Sequence, residues 1–138
     1  MYRVGVIGAG WVAGEHFRAY QNNPETEVVA VAVRREETAR AHMEGLGFSC
    51  DIYTDVATML KTAQLDIVSI CTPPSMHPEH SIAAAEAGCH VVLEKPVALN
   101  LADLRRIDAA VNAAGVKTVV GFVLRWNPLF EIITSLLD

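Results

Sequence analysis

Residues 2–14, YRVGVIGAGWVAG, decide how the rest of the chain is read. The apolar run Val4-Gly5-Val6-Ile7 leads into Gly8-Ala9-Gly10-Trp11-Val12-Ala13, and apolar residues then recur at helical spacing. A strand that passes through a glycine turn straight into a helix leaves the first backbone N–H groups of that helix unpaired. There the peptide dipoles also sum to a partial positive charge. Such a helix start is a seat for an anion, and for a pyrophosphate in particular. Gly8 is expected to make the tight turn, Gly10 to let phosphates approach the backbone, and the small Ala13 to let helix and strand pack closely. Gly8, Gly10, Trp11 and Val12 are therefore the first candidate cofactor-binding residues.

The bulk composition narrows the classes. At 138 residues the chain has the length of one domain. A composition 51% apolar and 20% charged fits a globular protein, and no apolar run approaches the roughly 20 residues a membrane helix needs. Met1 leads directly into the first strand with no basic and apolar leader before it, so a cytoplasmic location is expected. The net charge of −5, with the Lys and Arg residues scattered, argues against nucleic acid or an anionic membrane as partner. Cys50, Cys71 and Cys89 are an odd number without CxxC spacing, which reads as reduced, buried thiols.

Taken in order, the pattern predicts a helix from Trp11 to Asn22 that ends before Pro24, with Phe17 and Tyr20 facing the sheet. His16 on that helix reads as a packing or capping residue. A second strand from Glu27 to Val33 is apolar on both faces, as a helix-covered parallel strand is. Val33 stands where dinucleotide-binding units place a ribose-holding carboxylate, and Arg34 and Arg35 follow, which favours a 2′-phosphate and hence NADP over NAD. Further helices are expected over 36–46, after Asp55 as N-cap, over 78–87 and over 101–114 behind Asn100. Strands are expected over 49–53, 65–71, 90–93 and 117–124. Between them, Thr72-Pro73-Pro74 forms a rigid turn at the carboxyl end of a strand, where doubly wound sheets bind ligands. His77 and His80 stand three apart, but Pro78 intervenes and no third ligand follows nearby, so no metal site is expected. Six alternations of strand and helix predict an α/β chain with an open, doubly wound parallel sheet and helices on both faces.

Glu94-Lys95-Pro96 follows the fifth strand and Arg125-Trp126-Asn127-Pro128 the sixth. A lysine at a strand's carboxyl end beside a cationic ring would have its charged form disfavoured and could serve as an acid or base. Alternatively it pairs with Glu94 and only positions the loop. Together with Gly8-x-Gly10-x-x-Ala13-x-x-His16 and Thr72-Pro73-Pro74-x-x-His77-x-x-His80, these pieces resemble the glucose-fructose oxidoreductase / inositol dehydrogenase / MocA family across the whole chain.

The resemblance implies an NAD(P)-dependent oxidoreductase acting on a sugar, polyol or related hydroxy compound. It implies Lys95 beside the nicotinamide as catalytic residue, Glu94 near the nicotinamide ribose, Thr72, Pro73 and His77 lining the cofactor cleft, and Arg125 and Trp126 as further cofactor contacts. It also implies a Rossmann-type domain over 1–124, with 125–138 as a linker and first helix leading to a second, substrate-binding domain beyond Asp138. On that expectation the chain binds cofactor with little turnover of its own. Residues 128–138, apolar around more than half a helix, are expected to drive self-association into a homo-oligomer. A noncatalytic NAD(P)-binding sensor or accessory module is the alternative. A methyltransferase is disfavoured, because it would want a carboxylate ending strand two and gives Glu94-Lys95-Pro96 no role.

Overall fold

A computed structural model describes residues 1–45 and 47–137. Leu46, the expected end of the second helix, lies outside the described residues. The elements run in the order β1 (Tyr2–Ile7), α1 (Trp11–Gln21), β2 (Thr26–Ala32), α2 (Glu36–Gly45), β3 (Asp51–Tyr53), α3 (Val56–Thr62) and β4 (Ile67–Ile70). They continue with α4 (His77–Glu86), β5 (His90–Leu93), α5 (Leu101–Ala114), β6 (Thr118–Val120) and α6 (Pro128–Leu137). Short 3-10 turns, Pro74–Met76 and Val123–Trp126, precede α4 and α6.

All six strands are parallel, in the order β3-β2-β1-β4-β5-β6. The alternation of side chains along each strand divides the core in two. Val4, Val6 and Val31 meet Ala13 and Phe17 of α1 and Met43 of α2 on one face. Ile7, Ala32, Val68 and Leu93 meet Met59 of α3 and Ala84 of α4 on the other. The apolar run 4–7 is fully buried because helices cover both sides of it.

The helix ends follow local chemistry. Asp55 caps α3 by accepting from the Thr58 N–H at 2.7 Å, and Asn100 caps α5 by accepting from the Asp103 N–H at 2.9 Å. Gly115 closes α5 in the left-handed region, at φ +67°. The sixth strand is shorter than expected: it stops at Val120, and Val123–Trp126 turns in 3-10 form where extended chain was anticipated up to Leu124. Gly121 still donates to the Leu93 carbonyl at 2.8 Å, but the next amide, Phe122, turns back to Val120 instead of continuing the ladder.

The hydrogen-bond ladder outlasts the strands at their carboxyl ends. Gly8 donates to Ala32, Cys71 to Ile7, Val33 to Tyr53 and Glu94 to Ile70, at 2.8, 2.9, 2.9 and 3.2 Å. The loops that follow β1, β2, β4 and β5 therefore leave the sheet from fixed, aligned positions. At the other extreme, every described residue of α6 is exposed, including Leu129, Ile132, Ile133 and Leu136.

Gly8 has φ +101°, and a Cβ added there would stand 2.8 Å from the Cys71 carbonyl oxygen. Gly10 has ordinary extended backbone and nothing within 4 Å of where its Cβ would be. Gly8→Ala is accordingly expected to lower the free energy of unfolding by at least about 2 kcal/mol. Gly10→Ala should change it by less than about 1 kcal/mol. Urea unfolding midpoints, compared at unchanged slope, check the pair.

Candidate functional site

A cleft of about 670 Å³ opens at the carboxyl ends of β1, β2 and β4. This volume falls in the range of small-molecule and cofactor sites. Gly8 and Gly10 form one wall, Thr72, Pro73 and His80 another, and Arg34 stands on the side that β2 contributes. β1 and β4 are neighbours whose following helices pass to opposite faces, so the cleft lies where the strand order reverses. Gly10 is the N-cap of α1 and offers no side-chain cap. The first N–H groups of the helix, those of Trp11 and Val12 among them, thus face outward without an intrahelical partner. The protein itself fills none of the space in front of Gly10, so the missing side chain there answers to something other than internal packing.

The second wall is held by two histidines with different duties. Thr72 Oγ1 lies 3.0 Å from His80 Nδ1. His77, expected on the cleft surface, is instead fully buried. Its Nδ1 lies 2.8 Å from the Pro96 carbonyl oxygen and its Nε2 2.8 Å from the Thr72 carbonyl oxygen. A carbonyl only accepts, so both contacts are hydrogen bonds when the ring carries both N–H groups, and one is when it is neutral. The ring is turned inward, where it lies between these two loop carbonyls and can donate to them. With both ring nitrogens engaged His77 is not free as a ligand, and among the described residues no three His, Cys, Asp or Glu side chains gather as a metal would require. Cys71, beside Gly8 on the cleft wall, has its thiol pushed up to about 12 by burial, so it is no nucleophile at neutral pH.

Glu94, Lys95 and Pro96 follow β5, beyond the cleft walls just described. The Glu94 carboxylate is held by His16 of α1, with Nε2 3.0 Å from Oε1, and His16 Nδ1 lies 2.7 Å from Ser69 Oγ on β4. The phenol of Tyr20, one helical turn on from His16, is pushed up chiefly by burial. One set of donors satisfies the row: Ser69 O–H to His16 Nδ1, and His16 Nε2–H to Glu94. Serine, histidine and glutamate in a row invite comparison with a hydrolytic triad. Ser69 is 0% exposed, however, and no substrate carbonyl could reach it. Gly121 completes the arrangement, since a Cβ there would come within 2.8 Å of Glu94 Oε1. Lys95 is exposed and enters no ion pair among the described residues, so its suggested partner Glu94 is taken by His16 instead.

The remaining candidates are more scattered. Trp11 is exposed at the first position of α1. Arg35 lies off the cleft, beside Glu36 and Arg40 on α2. Arg125 and Trp126 sit in the exposed 3-10 turn before α6 and do not line the cleft.

Residues 2–122 match the model of a family described as "Oxidoreductase family, NAD-binding Rossmann fold". The chain belongs to this family. It is 34% identical over 132 residues to D-apiose dehydrogenase of Paraburkholderia graminis, covering 96% of this chain and 35% of that protein. It is 31% identical over 136 residues to an inositol 2-dehydrogenase of Rhizobium meliloti, covering 99% of this chain and 40% of that one. Among solved structures, the WlbA dehydrogenase from Bordetella pertussis, in complex with NADH and UDP-GlcNAcA, superposes with a TM-score of 0.91 at 28% identity, covering 99% of this chain and 41% of that one. The chain thus spans about 40% of the length of the relatives it matches.

The partly buried set around Glu94, His16 with Ser69 and Gly121, is not marked as a unit in the sequence. His16 lies on the same helical face as Ala13, Phe17 and Tyr20, a stripe directed at the sheet. A histidine among such neighbours needs polar partners, and that was the available signal. Ser69 and Gly121 carried no comparable mark, one being a single hydroxyl in an apolar strand and the other a glycine near a strand end.

Acid should weaken this member of the family through the cleft wall. Burial holds His80 below its ordinary value of 6.5, against an opposing pull from Glu79. Between 6.5 and that lower value the unfolded chain binds more protons than the folded one, so stability falls as pH drops from about 7 through this window and levels below it. Asp55 and Asp103 are held below their ordinary value of 3.8 by hydrogen bonds, first from Thr58 and from Asn100 respectively, and so act only in stronger acid. Urea midpoints between pH 7.5 and 5 should show the decline, and His80→Gln should flatten it.

Proposed function

We propose that this chain binds a nicotinamide dinucleotide across the carboxyl ends of β1 and β4 and serves a dehydrogenase acting on a hydroxyl group of a sugar, polyol or related compound. The observation that carries this reading is the uncapped start of α1 behind Gly10, facing an unfilled cleft at the point where the strand order reverses. The backbone N–H groups of Trp11 and Val12 would hold the diphosphate. Thr72 and Pro73 would flank it from the opposite wall. Glu94, fixed by His16, would accept from the hydroxyls of the nicotinamide ribose, and Arg125 and Trp126 would cover that end from beyond β6. The bound nicotinamide supplies hydride acceptance or donation. Lys95 would take the proton from the substrate hydroxyl as the hydride leaves, and return it in the reverse direction.

NADP is the proposed preference. Arg34 is the only Lys or Arg among the described lining residues of the cleft, and Val33 before it offers no carboxylate for the adenine ribose. The family description and the NADH-bound relative concern the dinucleotide and are neutral on what Arg34 does. We further propose that residues 1–124 form the dinucleotide domain and 125–138 lead away from it. Free Cys50, Cys71 and Cys89 suit a reducing, cytoplasmic setting, and no described helix is long and apolar enough to cross a membrane.

Isothermal titration decides the cofactor reading. The chain should bind NADP more tightly than NAD, Arg34→Ala should erase the difference, and Gly10→Val should weaken both by at least about ten-fold without unfolding the protein. Absence of binding to either dinucleotide would overturn the proposal, and tighter binding of NAD would overturn the preference alone. Noncatalytic presentation of the cofactor would be favoured if the whole protein bound the dinucleotide yet oxidised no sugar or polyol, and unchanged turnover in Lys95→Met would overturn the role given to Lys95.

The exposed apolar face of α6 leads to a separate expectation. The chain should self-associate through 128–138, with Leu129, Ile132, Ile133 and Leu136 at the contact. Sedimentation should give a mass rising with concentration, and Ile132→Glu with Leu136→Glu should return it to that of a monomer.

A further inference from the structure

Lys95 is the residue of which the proposed chemistry asks most, yet its own side chain is exposed and unpaired among the described residues. What the structure holds is the residue on either side of it. Glu94 is bound through its carboxylate to His16, and Pro96 through its backbone carbonyl to His77. His16 belongs to α1, which packs on one face of the sheet, and His77 begins α4, which packs on the other. The segment that carries Lys95 is therefore fastened from both faces at once.

Neither histidine lines the cleft, and each is itself anchored deeper in the fold. His16 reaches Ser69 on β4, while His77 reaches the Thr72 carbonyl at the start of the opposite cleft wall. The attachments differ in kind. The Glu94 contact acts through a flexible side chain and limits where that carboxylate points; the Pro96 contact acts on the backbone and limits the path of the chain. A single point of attachment would leave the segment free to swing about it, whereas two points on opposite sides of Lys95 fix the direction in which its Cα–Cβ bond leaves. An apolar side chain at either site would leave its partners, the Ser69 hydroxyl and Glu94 carboxylate or the Thr72 and Pro96 carbonyls, without that hydrogen bond.

We propose that His16 and His77 are paired positioning residues that clamp the Glu94-Lys95-Pro96 segment from opposite faces of the sheet and so set where the Lys95 ammonium meets the reacting end of the dinucleotide. The functional half of this inference rests on the dinucleotide reading given above; the mechanical half does not.

Two measurements on this chain separate the halves. In ¹⁵N relaxation the Lys95 amide should be as ordered as the amides of β5, with an order parameter near 0.85, and should fall toward about 0.6 in His16→Phe and in His77→Phe. His16→Gln, which keeps a donor for Glu94, should restore much of the order. In titration, His16→Phe, which leaves the Thr72 wall untouched, should lose about ten-fold in affinity for the full dinucleotide while its affinity for ADP, which lacks the nicotinamide half, stays within about two-fold. A Lys95 amide that remains ordered in both Phe variants overturns the clamp. Equal losses for ADP and the dinucleotide overturn the positioning role and leave a merely structural one. If His77→Phe fails to fold, His16→Phe decides both points, since its ring lies nearer the surface. If the unsubstituted chain binds no dinucleotide, the functional reading falls, and the relaxation data still decide the clamp.

Discussion

The approach of Gly8 to the carbonyl of Cys71 is the contact on which the rest of the molecule depends. β1 and β4 lie side by side at the centre of the sheet, and the helices that follow them must diverge to opposite faces. Gly8 lets the turn after β1 pass against the end of β4 with φ +101° and no side chain in the way. From there α1 begins pointing into the gap that the divergence opens. A larger residue would push the two strand ends apart at the place where both cores meet, so one backbone conformation joins the central strand pairing, the aim of α1 and the shape of the cleft.

The cleft's capacity for an anion lies in its backbone more than in its side chains. Among the described lining residues, Arg34 is opposed by Asp55 and Glu79, and the chain as a whole carries a net charge of −5. Side-chain charge therefore offers a diphosphate little, and the uncapped helix start with its dipole is left as the attractive element. Because these groups are fixed by the helix itself, they need no ordering when a ligand arrives. Arg34 then acts on the far end of the ligand, where a single cation can discriminate without being required for the diphosphate.

How much of this could be read from the residues follows from the kind of interaction involved. The sheet, its order class and the glycine turn were legible because parallel strands buried on both faces leave unbroken apolar runs, as in Val28–Ala32, and because Gly8, Asp55, Asn100 and Gly115 mark turns and caps by local chemistry. The end of β6 was not legible: Phe122 and Val123 continue the apolar pattern, and the chain turns there through backbone bonds that leave no trace in residue type. The duties of the histidines were hidden for another reason. His77 was expected on the cleft because its motif places it there in sequence. Whether an imidazole faces solvent or two carbonyls is decided by Pro96, nineteen residues away. His16 likewise depends on Ser69 and Glu94, from two other strands. Partners that distant leave no periodicity.

The two ends of the site thus rest on different physics. At the diphosphate end the working groups are main-chain N–H donors, and substitution matters through what it places in their way, as at Gly10. At the Glu94 end the working groups are side chains whose orientation is inherited from polar contacts running from Ser69 through His16, in which losing one member strands the next. Gly121 belongs to this second regime although it has no side chain: its backbone passes so near Glu94 Oε1 that a Cβ would displace the carboxylate from His16. Gly8 and Gly121 are in this sense counterparts, each bringing backbone close to an oxygen at the end of the neighbouring strand. One oxygen belongs to the main chain and fixes the fold; the other belongs to a side chain and fixes the direction in which the segment carrying Lys95 leaves β5.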